Sequence, residues 1–280
     1  MKQLAVFTGS IVCSFVVACA ANAGTFHQGW TYSIDSLDDG SGGTAYEIEG
    51  LAVKETADYV YISVAGGAAL TGIETDAAVD GNIGWGDLLL NFTGTDLNDA
   101  NGDLWGVRFA ATNDSGVSDV GLFRDVTANS VAQINNGYGS LGEYYRSGYG
   151  RDNTLGDIAT EASAFDYIDS QTPVLSSIDS GTWVGTIDFL SDQDAAMVGL
   201  DFTHFNIGIN QTHTFRFDRA LMPDGDFIAS LFLECVNDGV ALLSSLTVGL
   251  GEPSQDVPEP SIILGVIGLG VLAKQTLDRT

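Results

Sequence analysis

Tyr59-Val60-Tyr61-Ile62-Ser63-Val64 alternates in a way that decides the fold class. In an extended chain successive side chains point to opposite faces, so Val60, Ile62 and Val64 share one side and Tyr59, Tyr61 and Ser63 the other. Thr214-Phe215-Arg216-Phe217-Asp218-Arg219 repeats the pattern more cleanly, with aromatics directed to a core and charges to water. Outward from these two stretches, strand character recurs over 29–34, 45–54, 88–93, 104–110, 120–126, 182–189 and 227–236. The runs are separated by turn chemistry: 38–43, Asp80-Gly81-Asn82, 98–103, Asn113-Asp114-Ser115-Gly116, Asn135-Asn136-Gly137, Pro223-Asp224-Gly225-Asp226 and Asn237-Asp238-Gly239. Asn, Asp and Gly tolerate the positive φ that hairpins require. Many short strands with such punctuation predict an all-β, antiparallel β-sandwich or jelly-roll-like domain. One short helix is expected where Ser191-Asp192-Gln193-Asp194 supplies a cap and an acidic first turn before Ala195-Ala196-Met197-Val198. Residues 136–160, rich in Gly, Tyr and Arg, read as a long loop.

Composition narrows the function classes. The 280 residues are 45% apolar, enough for a sizeable core, with 35 glycines and only 5 prolines. A formal charge of −27, from 37 acidic against 10 basic residues, repels nucleic acid and anionic membranes. It suits solubility or divalent cations. Cys13 and Cys19 sit in the apolar stretch near Met1, which leaves Cys235 alone in the body. One cysteine cannot close an internal disulfide, so the core must hold the fold, and Cys235, inside the apolar run 227–236, reads as a small buried hydrophobe.

Residues 1–23 combine Lys2, an apolar run and the small-x-small triplet Ala21-Asn22-Ala23. This is the pattern of an export signal cut after Ala23 by signal peptidase. A retained membrane helix and lipoprotein processing at Cys19 are the alternatives. Near Thr280 stand Val257, Pro258, Glu259, Pro260 and Ser261, then the apolar run Ile262–Ala273, then Lys274 and Arg279. The two prolines keep the motif extended and accessible to an enzyme. The apolar run is shorter than the roughly twenty residues of a stable span, which suits a transient transmembrane helix with its cations on the cytoplasmic side. A C-terminal helix packed on the domain is the alternative.

These residues resemble the PEP-CTERM sorting signal of exosortase-processed proteins. The body is similar to a group of exosortase-dependent surface proteins through Gly29-Trp30-Thr31-Tyr32, Tyr46-Glu47-Ile48, the stretch 81–88 and Glu234-Cys235-Val236-Asn237-Asp238-Gly239. The resemblance implies export, recognition of the Pro-Glu-Pro element by a membrane-embedded exosortase, trimming, and delivery to the cell surface or its polysaccharide matrix. It implies no assigned chemistry. The expected organisation is a signal peptide over 1–23, an extracellular β-sandwich domain over 24–248, a linker over 249–257 and the sorting signal over 258–280.

Catalytic signatures are missing from the sequence. The histidines are His27, His204 and His213, with no metal-type spacing, and there is no Gly-x-Ser-x-Gly elbow or phosphate loop. His213 precedes the alternating phenylalanines and is expected to be structural. Asp96, Asn98, Asp99, Asn101 and Asp103 place hard oxygen ligands at alternating positions, the chemistry of a Ca²⁺ loop. The same residues also make an Asx-rich turn, and no Glu closes the loop. The stretch 76–87 is a second such candidate. Tyr138, Tyr144, Tyr145 and Tyr149, in the expected loop, are candidate stacking surfaces for sugar rings; Trp85 and Trp105 are also available but read as core. The sequence therefore predicts a non-enzymatic exported surface or matrix protein with polysaccharide as candidate ligand and no cofactor beyond a candidate Ca²⁺. Its membrane contact is expected only through the terminal segments, and a secreted glycan hydrolase is the alternative.

Overall fold

The computed structural model describes residues 24–37, 39–40, 45–147, 153–208 and 210–247. The export signal, the linker from 249 onward and the whole sorting signal lie outside the described residues. Among the described residues no helix is long and apolar enough to cross a membrane.

The chain is all-β and antiparallel. Its strands are β1 Thr25–His27, β2 Trp30–Ile34, β3 Ile48–Glu55, β4 Tyr59–Gly66, β5 Ile73–Glu74, β6 Asn82–Ile83, β7 Leu88–Asn91, β8 Leu104–Arg108, β9 Gly121–Asn129, β10 Ser177–Gly185, β11 Asp188–Leu190, β12 Gln211–Asp218, β13 Gly225–Phe232 and β14 Gly239–Leu246. Among the described residues three short α-helices intervene: α1 Leu141–Ser147, α2 Glu161–Tyr167 and α3 Asp192–Met197. One six-stranded sheet runs β1-β2-β3-β4-β12-β11, the other β10-β9-β8-β7-β13-β14, and β5 and β6 form a separate pair.

The two sheets pack face to face in a sandwich-like arrangement. Val60, Ile62, Val64, Phe215 and Phe217 from the first sheet meet Leu88, Leu90, Val107, Leu122, Ala229 and Leu231 from the second in one buried cluster. Phe109 stacks on Phe215 at 5.4 Å between ring centroids. Each large apolar side chain so buried contributes about 2–3 kcal/mol. The register β4–β12 pairs Ile62 with Phe215 and Val60 with Phe217, so the two stretches that decide the fold are direct neighbours.

The alternate side chains do not simply face water. Behind the first sheet Tyr61, Ala65, Trp30 and Tyr32 pack against Phe202 and Ile207. The crossover carrying α3 is held there by Trp30 Nε1 donating to Val198 O at 3.0 Å and by Asp201 N donating to the Tyr32 hydroxyl at 2.9 Å. Ser191 caps α3 by accepting from Asp194 N. Behind the second sheet Leu89, Leu104, Phe123 and Phe232 pack on Leu141 and Tyr144 of α1, Tyr167 of α2, and Leu155. Each sheet thus buries both faces, which is why Ser63, outward by pattern, is fully buried and bonded to Thr214 at 2.8 Å.

The region read as one long loop, 136–160, contains α1 and an isolated bridge between Leu155 and Ile158. Tyr144 and Tyr145 of α1 and the preceding Tyr138, which suggested an exposed loop, instead pack on the second sheet. β14 and α2 fall outside the expected elements. The run 182–189 divides between β10 and β11, which belong to different sheets.

Candidate functional site

Asp35 follows the last residue of β2, Asp39 lies in the β2–β3 connection, and Asp238 sits in the turn between β13 and β14. Folding brings one carboxylate oxygen from each within 4.8 Å of the others, the one such trio among the described residues. Asp35 is 4% exposed, and Asp39 and Asp238 are each 1% exposed. Glu47, also buried, precedes β3 beside them and adds its charge to the field at Asp238.

Main-chain amides and a threonine position these groups. Asp35 Oδ1 accepts from Gly156 N at 2.6 Å and Thr154 Oγ1 at 3.0 Å. Asp39 Oδ2 accepts from Thr154 N at 3.1 Å. Asp238 accepts from Ile48 N at 2.5 Å and from Gly239 N at 2.7 Å. Asn153 connects the connection to α1, accepting from Gly40 N at 2.8 Å and donating to Tyr144 O at 2.9 Å. The turn carrying Asp238 is strained: Val236, buried and β-branched, has φ 53°, a region that costs such a residue energy.

The electrostatics are unusual for carboxylates. Burial, then the neighbouring negative charges, holds Asp35 and Asp238 well above the usual carboxylate range. Asp35 Oδ2 is buried and has no hydrogen-bond partner. Tyr144, fully buried, feels the same field: burial first, then Asp238, Asp35 and Asp39, drive its phenol far upward.

Other buried acids are satisfied. Asp87 accepts from Ile178 N at 2.7 Å and Asn113 Nδ2 at 2.8 Å, beside Arg108. Glu234 accepts from Gly84 N at 2.5 Å and from Asp114 N. Against these, the Asp35–Asp39–Asp238 group stands out. Its donor set is all oxygen, the kind that hard divalent cations take. No family model, curated protein or solved structure matches the chain.

The residues singled out from sequence are dispersed. Asp96 Oδ1 accepts from Asp99 N at 2.8 Å, and Asn98 donates to Thr172. Asn101 closes a two-way pair with Ala128, donating to its oxygen at 3.0 Å and accepting its amide at 2.7 Å. These bonds pin the 96–103 turn to β9. Its outer side faces a shallow cavity of about 250 Å³ lined by Asp96, Asn98, Asp99, Asp166 and Asp169. Tyr144 is fully buried, so its ring presents no face to a sugar; Tyr138 and Tyr145 are half-buried. Tyr149, Ala21, Ala23, Val257, Pro258, Glu259, Pro260, Lys274 and Arg279 lie outside the described residues.

His213 is buried, with Nε2 2.9 Å from Ala68 O, and burial pushes its imidazole downward. Trp85 is fully buried and Trp105 packs against the central core. Trp183, on the edge strand β10, is 49% exposed and, with Phe26 and Phe189, is an exposed aromatic that sequence reasoning passed over. The acid trio was missed too: Asp39 and Asp238 read only as turn residues, and no local pattern joins positions about two hundred residues apart.

Proposed function

We propose that the chain is an exported, exosortase-processed surface or extracellular-matrix protein that acts without enzymatic chemistry, with polysaccharide as its ligand class. The observation that carries this reading is the pairing in one chain of an Ala21-Asn22-Ala23 cleavage pattern after an apolar run with Val257-Pro258-Glu259-Pro260, a second apolar run and the cations Lys274 and Arg279. The sandwich-like body supports it as a stable, strongly acidic cargo. On the jelly-roll-like version of this fold, the edge strand β10 offers Trp183 as a stacking surface for a sugar ring.

The hydrolase alternative needs two accessible carboxylates facing across a cleft. Asp35, Asp39 and Asp238 are 1–4% exposed, which favours a structural use of that trio. Mass spectrometry of the native product, with cell fractionation, tests the export reading: loss of 1–23 and cleavage near Pro258 are expected, and an intact cytosolic chain overturns it. A glycan array with the exported protein and its Trp183→Ala variant tests the ligand class, and silence of both overturns that part.

A further inference from the structure

We infer that Asp35, Asp39 and Asp238 bind one calcium ion, which clips the β2–β3 connection of one sheet to the β13–β14 turn of the other. Two independent observations carry this. Three carboxylate oxygens lie within 4.8 Å of one another at 1–4% exposure, and among the described residues no Lys, Arg or His forms an ion pair with Asp35 or Asp238. Separately, Asp35 Oδ2 is buried with no hydrogen-bond partner. A proton on Oδ2, shared with a neighbouring carboxylate, satisfies one pair of oxygens, whereas a cation is shared by all three side chains. A cation satisfies that oxygen and offsets the repulsion between the Asp35 and Asp238 carboxylates at once.

The chemistry selects the ion. With no His or Cys in the trio, zinc and copper lack their usual nitrogen and sulfur ligands. Magnesium keeps several waters and near-ideal octahedral geometry, which a site this buried does not favour. Calcium accepts irregular sets of carboxylate and carbonyl oxygens. The inference is independent of the export reading.

The test is a thermal melt of the intact exported protein in calcium, in magnesium and in chelator, with calorimetric titration of Ca²⁺. Calcium is expected to raise the midpoint by on the order of 5 °C at a hundredfold excess over Kd, with one tight site and a smaller effect of magnesium. Asp35→Asn keeps an oxygen for Thr154 and Gly156 and places a neutral amide where Oδ2 stands. It is expected to melt at or above the wild-type midpoint in chelator and to lose the calcium shift. The double variant Asp96→Asn/Asp99→Asn is expected to keep the shift. No shift in the wild type, a shift that survives D35N, or a shift abolished by the 96/99 variant alone overturns the inference.

Discussion

The main-chain amide of Ile48 donates to Asp238 Oδ2 at 2.5 Å across 190 residues of sequence. It joins the first residue of β3 to the turn that connects β13 and β14, so one side chain couples the two sheets. The same carboxylate takes the amide of Gly239. Asp238→Ala strands two amides at a buried site and removes a proposed ligand. In calcium, urea denaturation is expected to show a loss of about 3 kcal/mol. In chelator the loss is smaller, because removing the charge also relieves repulsion from Asp35 and Asp39.

Gly40 marks how closely the acidic connection approaches its neighbours. At φ +52°, a Cβ there would lie 1.8 Å from Asn237 O and 2.9 Å from the Tyr144 ring. Gly81 has φ +88° but nothing within 4 Å. Gly81→Ala is expected to cost about 1 kcal/mol, for the backbone alone. Gly40→Ala should cost about 3 kcal/mol or more, since main chain must shift. Equal midpoints for the two variants would contradict the close approach.

Glu234 gives a pH signature. Burial raises its carboxyl from 4.5 to about 7, against the lowering effect of the Asp114 and Gly84 amides. The native state therefore holds this proton more tightly than the unfolded state does. Its contribution to stability is full below about pH 4.5, falls as pH rises to about 7, and is constant above that, an upper bound of about 3 kcal/mol. In Glu234→Gln that slope disappears, so the variant's deficit relative to wild type is expected to be larger at pH 5 than at pH 8 in paired urea titrations.

Arg219 closes one end of the sandwich. Its guanidinium bonds Glu55 Oε1 at 2.5 Å, Met222 O at 3.0 Å and Asp224, and Glu55 in turn accepts from Thr247 N. Arg219 is 7% exposed. Arg219→Met leaves Glu55 without its cation and is expected to cost about 3 kcal/mol. Arg219→Lys recovers only part, because an ammonium cannot reproduce the planar fork. Chemical denaturation of the pair checks this.

Cys235 is fully buried, and burial pushes its thiol up to about 12. A thiolate is the reactive species, so Cys235 in the native protein is expected to be inert to a thiol reagent at pH 8, and a product that lacks residues 1–23 to react with one equivalent once unfolded. Rapid labelling of the native protein would contradict the burial.

The alternations at 59–64 and 214–219 were legible because strand geometry alone converts period two into faces. The Ser191 cap of α3 was legible for a similar reason, since a cap is a local bond. The coverings behind each sheet were not. Tyr61 looks outward-facing, and the 198–207 segment, held by Trp30 and Tyr32, packs over it. The tyrosines of α1 carried the opposite signal, reading as loop because glycines surround them.

Sequence by itself determined the all-β class, the strand faces, the isolated Cys235 and the acidic character, because each depends on composition or on spacing within a few residues. Tertiary structure alone decided that Asp35, Asp39 and Asp238 meet and that Tyr144 points inward against them. A carboxylate in a turn looks the same whether it faces water or another carboxylate. What distinguishes the two cases is desolvation by partners that arrive from far along the chain.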